Sequence, residues 1–274
     1  MARGLDHIVV AVRDLDAAAA AYSALGFTVT PENRHPWGTA NRLVQLDGFF
    51  IELLSIADAS RIPEPIGKTF SFGAFNRDFL SKREGASMLV LESRDAAADR
   101  ESFLKAGLDV FEPFSFERVA NLPDGSTVQV AFDLTHVRDP LAPDIGFFTC
   151  HNRFPENFWK EAFQTHSNGA QRIDSVHLCA SDPSDHHEFL GAFTGLREMR
   201  ATSLGLTLET PRGTISVLTP MACQALFDVA VSNVTVGPFP QIAAIEVGCA
   251  GLDQRKIVPG DSLFGVTVIL NPLK

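Results

Sequence analysis

Short apolar runs that alternate with polar positions recur along the chain, and each is followed by acidic residues, an alanine-rich stretch and a glycine. The first copy opens with Leu5–Val12, continues through Asp14 and Asp16, and ends at Gly26. An alternating run predicts a β-strand, while an acidic residue before a helical stretch and a glycine after it are start and stop signals of a helix. We therefore predict a strand and then a helix with Asp14 or Asp16 as its N-cap.

Three further strands are predicted after this helix, so that the order of elements is βαβββ. These strands are Phe27–Thr30, Arg42–Leu46 and Phe49–Ile56. Asp47-Gly48 lies between the last two strands and is a strong signal for a two-residue hairpin loop.

The same order of elements returns later in the chain. A second unit opens with Ser87–Ser93 and a third with Ile173–Ala180. Strand-like runs at Gln241–Val247 and Gly265–Leu270 are too close together for a complete fourth unit at the usual element lengths. The fourth unit is therefore degenerate, or it takes strands from Phe227–Val236.

Composition and charge narrow the possible partners. Hydrophobic residues make up 45% and charged residues 20% of the 274 residues, as in an ordinary globular protein. The net charge of -10, without an acidic tail, disfavours nucleic acid and anionic membranes, and no apolar run approaches the roughly 20 residues that span a bilayer. The four cysteines form no CxxC and no signal segment precedes Leu5, so we expect a cytoplasmic protein that binds small molecules.

One carboxylate stands in a strongly apolar strand. Glu52 follows Phe49–Ile51 and precedes Leu53 and Leu54, and a buried carboxylate is costly unless it is paired, hydrogen-bonded or bound to a metal. Glu52 either points to solvent or serves a cleft, and His7 on the first strand is either a hydrogen-bonded core residue or its partner. If their strands are neighbours that share a face, both side chains aim into one cleft.

Several segments resemble the glyoxalase-like branch of the vicinal-oxygen-chelate superfamily, which includes glyoxalases, bleomycin-resistance proteins and extradiol dioxygenases. The segments are LDHIVVAVRDLDAAAAAYSALGF, HPWGTANRL, FIELLS and GFFTCHNRFPENFWKEAFQTHSNGA. The resemblance extends from Leu5 to about Pro220. It implies an α+β fold in which tandem βαβββ units pair into curled, half-open mixed sheets with helices outside. The implied domains are 1–160, with units at about 5–56 and 87–152, and a partly degenerate 170–274.

The resemblance also implies a divalent metal held by His and Glu from the first and fourth strands of each unit. In the second unit Met88 takes the place of His7, and methionine is a poor ligand for a hard cation. Aligning GFFTCHNR with FFIELLSI brings Cys150 or His151 near the place of Glu52. The implied metal set is His7, Glu52 and His151, suited to Zn, Mn, Fe or Ni, provided that His151 faces inward, which one residue of register decides.

The third unit lacks these donors, because Ser175 stands at the place of His7 and Ser216 at the place of Glu52. We therefore expect no metal site in the C-terminal half. His177 keeps the parity of Ser175, but a lone histidine on a short strand is more often a packing residue.

A loop before the third strand gathers side chains suited to a polar ligand. His35, Trp37, Thr39, Asn41 and Arg42 lie within eight residues, and Arg42 is predicted to clamp a carboxylate while Thr39 and Asn41 donate hydrogen bonds. The alternative is an ordinary turn.

Two functions from different classes follow from these features. The first is a glyoxalase-like enzyme, an isomerase, lyase or dioxygenase, in which a divalent metal activates a small oxygenated substrate and Glu52 is both metal ligand and catalytic base. The alternative is a metal-free small-molecule binding or sequestering protein without a cofactor, which Met88 and the 22 phenylalanines favour. Either protein would be a monomer or a homodimer. No GxSxG, P-loop or GxGxxG motif supports hydrolase, NTPase or dinucleotide chemistry.

Overall fold

The structure is a computed structural model that describes residues 1–121, 127–227 and 240–273. Within these residues sixteen strands belong to one mixed sheet that does not close on itself. The strands of the first half are β1 Leu5–Ala11, β2 Asn33–Arg34, β3 Thr39–Gln45, β4 Phe50–Ile56, β5 Gly85–Glu92, β6 Asp109–Val110, β7 Phe114–Asn121, β8 Thr127–Arg138 and β9 Gly146–Asn152. Those of the second half are β10 Ala170–Cys179, β11 Arg200–Thr202, β12 Gly205–Glu209, β13 Thr214–Leu218, β14 Gln241–Cys249, β15 Lys256–Val258 and β16 Thr267–Pro272.

The described helices are short. They are α1 Leu15–Ala24, α2 Phe72–Lys82, α3 Ala96–Lys105, α4 Pro155–Phe158, α5 Glu161–Gln164, α6 His187–Thr194 and α7 Pro220–Phe227. In the described ranges, none is long and apolar enough to cross a membrane.

The strand pairing repeats in every unit. The first strand pairs in parallel with the last, β1 with β4, β5 with β9, β10 with β13 and β14 with β16. The first strands of neighbouring units then pair antiparallel, β1 with β5 and β10 with β14. The predicted α+β fold of tandem βαβββ units is confirmed, and its fourth unit is reduced to three described strands. The division into domains 1–160 and 170–274 stays a prediction, since one ladder pair, Ile242 with Ala86, continues the sheet between the halves.

Alternation along β1 separates the helix side of the sheet from the cleft side. Ile8 and Val10 pack in the main core, which also holds Leu15 and Tyr22 of α1. Val9 belongs to a separate apolar cluster on the opposite face. Burying an aliphatic side chain of this size contributes about 1.5–3 kcal/mol, so a register slip that exchanged the faces would be strongly disfavoured.

The local signals around α1 are confirmed. Asp14 is the N-cap, and its Oδ1 accepts a hydrogen bond from the Ala17 amide at 2.9 Å. Gly26 follows the helix with φ of 90°, a conformation that glycine adopts without steric cost. Of the two aspartates that the pattern suggested, Asp16 lies inside the first turn.

The predicted strand Phe27–Thr30 is wrong. The Thr28 amide donates to His166 Nδ1 at 2.9 Å and its hydroxyl donates to the Thr165 carbonyl at 2.6 Å, while the Thr30 amide donates to the Leu43 carbonyl of β3 at 2.9 Å. The segment before the third unit therefore satisfies Thr28, and a local pattern cannot reveal so distant a partner.

Other boundaries also differ from expectation. The chain after α3 forms two strands and not one, because it is interrupted between β6 and β7, where Pro113 has no amide to donate to a ladder. Helix α2 was not predicted; its N-cap is Ser71, whose hydroxyl accepts from the Ala74 amide at 3.2 Å. Phe227 ends α7 and is not in a strand, and residues 228–236 of the proposed borrowed strands lie outside the described residues.

A buried ion pair ties the start of the chain to two helices. Arg3 Nε donates to Asp99 Oδ1 of α3 at 2.7 Å, and its Nη1 donates to the Phe193 carbonyl of α6 at 3.0 Å. The guanidinium also lies 4.5 Å from the centroid of the Phe103 ring. Removal of the carboxylate would leave a buried and unpaired cation.

We expect Asp99→Asn to lower the free energy of unfolding by about 3 kcal/mol, because breaking a buried pair strands the remaining charge. Urea unfolding followed by circular dichroism measures this change. Glu101→Gln on the same helix is the matched control, since the exposed pair of Glu101 with Lys105 contributes little. Equal midpoints for the two variants would contradict the role assigned to Asp99.

Candidate functional site

A cavity lies on the cleft side of the sheet formed by the first two units. In the described residues eight aromatic side chains line it, among them Trp37, Phe50, Phe72, Phe114, Phe116 and Phe148. Its polar lining consists of His7, His35, Asn41, Glu52 and Arg118, together with the Cys150 thiol. The volume is about 70 Å³. This is about half of the roughly 150 Å³ of a cavity known to bind benzene, so only a small group fits without movement of the lining.

His7 and Glu52 face each other in this cavity. Glu52 stands opposite Val9 in the β1–β4 ladder, two positions along from the pairing of His7 with Phe50. Glu52 Oε2 is 3.9 Å from His7 Nε2, and its Oε1 accepts a hydrogen bond from Asn41 Nδ2 at 2.6 Å. Burial raises the pKa of Glu52, while His7 and the Asn41 amide oppose that rise. Glu52 is 6% exposed, so the reading in which it points to solvent is wrong.

The neighbouring residue Asp6 orients the His7 ring. His7 Nδ1 lies 2.5 Å from Asp6 Oδ1, where an N–H donates to the carboxylate. That hydrogen bond assigns the proton to Nδ1 and leaves Nε2 as an acceptor directed at the cavity. The face of Phe50 stacks on the ring at 4.2 Å between centroids.

The predicted loop contributes three of its five residues to the cavity wall. His35, Trp37 and Asn41 line the cavity, and the His35 ring stacks on Trp37 at 4.8 Å. Thr39 lies behind them, with its hydroxyl 2.8 Å from His35 Nδ1. Burial, with the nearby Arg118 cation, lowers the pKa of His35 to about 4, so the ring is neutral at neutral pH.

Arg42 does not reach the cavity. It stands between Asn41 and Leu43, which both line the cavity, and strand alternation turns it to the other face. There its Nη2 donates to Asp16 Oδ1 at 2.7 Å. The structure therefore corrects the expectation that Arg42 clamps a ligand in this cleft.

His151 is also on the wrong face for the predicted metal set. Cys150 lines the cavity, while His151 lines a separate surface groove with its Nδ1 3.5 Å from Asp133 Oδ2. The ladders identify the true counterpart of Glu52. Val9 pairs with Glu52 in the first unit, and Val90, at the matching place of β5, pairs with Phe148.

A divalent metal, which the family resemblance implies, would therefore find two donors and not four. His7 and Glu52 supply one side, but the matching places of the second unit hold Met88, a poor ligand for hard cations, and Phe148, which has no donor atom. In the part of the chain that the structure describes, no group of three His, Cys, Asp or Glu side chains is suited to hold a metal ion. The residues present do not complete the site.

The third unit has serines at the two ladder positions where the sequence alignment predicted them. Ser175 and Ser216 occupy the ladder positions that correspond to His7 and Glu52. His177 is buried, and its Nε2 lies 3.3 Å from Glu246 Oε1.

Arg118 is the cavity residue that sequence reasoning missed. It lies on β7, and the alternation Phe114, Phe116, Arg118 along FSFER could have revealed a face with two rings and a cation. Burial lowers the pKa of its guanidinium, and no carboxylate among the described residues forms an ion pair with it. The cavity thus contains a partly desolvated cation.

A family model described as a glyoxalase-like domain matches residues 5–194. A hypothetical protein from Staphylococcus aureus is similar in structure, with a TM-score of 0.75, 14% identity and coverage of 99% of this chain and 100% of that one. No curated protein matches the sequence.

Two further solved structures are similar to this chain to a lesser degree. A xylose isomerase-like TIM barrel/4-hydroxyphenylpyruvate dioxygenase fusion protein gives a TM-score of 0.52 at 15% identity, over 92% of this chain and 37% of that one. Methylmalonyl-CoA epimerase from Mycobacterium tuberculosis gives 0.39 at 21% identity, over 54% and 87%.

We expect the purified protein to retain no stoichiometric divalent metal, because two donors alone do not hold such an ion firmly. Elemental analysis and titration with Co²⁺ followed by absorption spectroscopy measure this. The matched variant is Met88→His with Phe148→Glu, which places a histidine and a carboxylate opposite His7 and Glu52 and is expected to gain a Co²⁺ site. A full equivalent in the unchanged protein that Glu52→Gln loses would contradict the donor assignment.

Proposed function

We propose, given that this chain belongs to the glyoxalase-like domain family of the vicinal-oxygen-chelate superfamily, that its N-terminal cleft binds a single-ring aromatic carboxylate. The proposal is the metal-free binding function in a more specific form. The observation that carries it is Arg118, a partly desolvated cation in a cavity whose other walls are mostly aromatic.

The aromatic walls favour a flat apolar ligand. Phe116 contacts Trp37 edge-to-face at 5.0 Å and stacks on Phe132 at 5.2 Å between ring centroids. Rings at such spacings accept a further ring by offset or edge-to-face packing, which adds about 0.5–1.5 kcal/mol to the burial of its area. The cavity volume of about 70 Å³ limits the ligand to a small molecule.

The charge of the lining favours an anionic group on that ligand. Arginine presents a planar fork of N–H donors that matches a carboxylate in a bidentate pair. Burial lowers the pKa of the guanidinium because it disfavours the charged form. The negative charge of a bound anion would offset this cost. At neutral pH the neighbouring His35 is neutral, so it adds no competing charge beside Arg118.

An enzymatic function is the second candidate, and the His7–Glu52 pair favours it. A buried imidazole nitrogen and a carboxylate oxygen 3.9 Å apart on one cavity wall are positioned to act on a bound molecule. Asp6 behind His7 supplies the orienting carboxylate that such a histidine requires. Glu52 is then the predicted catalytic residue of an isomerase or lyase. The elemental analysis and Co²⁺ titration described above test whether such an enzyme uses a metal.

Proton NMR distinguishes the two candidates. A bound aromatic carboxylate is incubated in D₂O with the unchanged protein and with Glu52→Gln. Conversion or deuterium exchange by the unchanged protein alone supports the enzyme, and an unaltered ligand with both proteins supports the binding function.

We expect Arg118→Gln to weaken the binding of benzoate by about tenfold or more, because a hydrogen bond to a charged group contributes about 1.5–3 kcal/mol. Isothermal titration calorimetry measures the two dissociation constants. Arg42→Gln is the matched control, since the Arg42 guanidinium lies outside the cavity against Asp16. The proposal fails if the unchanged protein does not bind benzoate, or if the two arginine variants bind it equally well.

A further inference from the structure

His136 is a fully buried histidine without a polar partner. It lies on β8, is 1% exposed, and neither Nδ1 nor Nε2 has a hydrogen-bond partner among the described residues. Burial lowers the pKa of this ring to about 3, so that it is neutral at neutral pH and carries one N–H donor and one acceptor nitrogen.

Two phenylalanine rings contact this imidazole. Phe70 stacks on it at 4.2 Å with an interplanar angle of 16°, and Phe148 lies 4.8 Å away with an angle of 35°. Phe148 is also a wall of the cavity and contacts His7 edge-to-face at 5.4 Å. One aromatic ring therefore separates His136 from the cavity.

The strand register places His136 at the inner end of the cleft. Arg118 pairs with Val130 on β8, and Phe132, Leu134 and His136 follow at alternate positions, the first two of which line the cavity. Six residues of strand extend about 20 Å, so both side chains must lean towards each other for one small ligand to reach them. Arg118 and the β8 row that leads to His136 thus share one face of the ladder.

A polar group in this position is expensive. A buried donor or acceptor left without a partner loses its hydration with no compensating bond, and native proteins keep few such groups. An apolar residue of similar shape would serve packing alone at least as well. The ring nitrogens are therefore better explained by a ligand atom than by stability.

From these observations we infer that His136 is the inner recognition residue of the cleft and binds a hydroxyl at the end of the ligand remote from its carboxylate. The inference rests on the proposed function and narrows its ligand to a para-hydroxylated aromatic carboxylate. The carboxylate binds Arg118, the ring lies among the phenylalanines, and the Phe148 ring moves aside so that the hydroxyl meets a His136 nitrogen.

The experiment compares two ligands of nearly the same size, 4-hydroxybenzoate and 4-methylbenzoate, with benzoate as reference. Calorimetric titration is expected to show that the unchanged protein binds 4-hydroxybenzoate about tenfold more tightly than 4-methylbenzoate, as one hydrogen bond to an otherwise unpartnered buried group allows. In His136→Phe this ratio is expected to fall to one or below, while benzoate binds as before.

The benzoate reference separates the possible failures. If the unchanged protein does not bind benzoate, the proposed function is overturned. Retained benzoate binding with an unchanged hydroxyl-to-methyl ratio in His136→Phe overturns the role of His136 alone. His136→Leu, which removes the ring and fits without added bulk, repeats the test should the phenylalanine variant fail to fold. An unfolding midpoint in either variant at or above that of the unchanged protein supports a histidine retained for binding, and a large decrease in both overturns it.

Discussion

The register between β1 and β4 is the constraint on which the cleft depends. Because these strands run in parallel and side chains alternate between faces, the pairing of Val9 with Glu52 brings the carboxylate beside His7. The same alternation sends Ile8 and Val10 to the core on the other face. A shift of one residue would expose that core and bury the polar side chains of the cleft. The free energy of burying the core therefore also determines which side chains face the cavity.

The two units that form the cleft have the same ladder but different side chains. At equivalent places the first unit carries His7 and Glu52, and the second carries Met88 and Phe148. One wall of the cavity is therefore polar and the other aromatic. This asymmetry removes two donors that a divalent metal would need and leaves a small space whose surface is mostly aromatic.

Stability and recognition compete in the aromatic half of the cleft. The cation of Arg118 is partly desolvated, and the nitrogens of His136 are wholly buried without partners among the described residues. Neither arrangement favours folding. Ligand groups that complement Arg118 and His136 would explain why the fold tolerates them.

The sequence by itself determined the features that depend on neighbouring residues. The repeat of βαβββ units, the Asp14 cap and the glycine stop after the first helix all follow from local patterns, because capping, turn geometry and alternation act within a few residues. Only the tertiary structure decided the features that depend on distant partners or on register. It turned Arg42 and His151 away from the cavity, and it brought Arg118 into the wall and His136 behind it. A side chain changes face with a single step along a strand, and which strands meet across a sheet is determined by the packing of the whole chain.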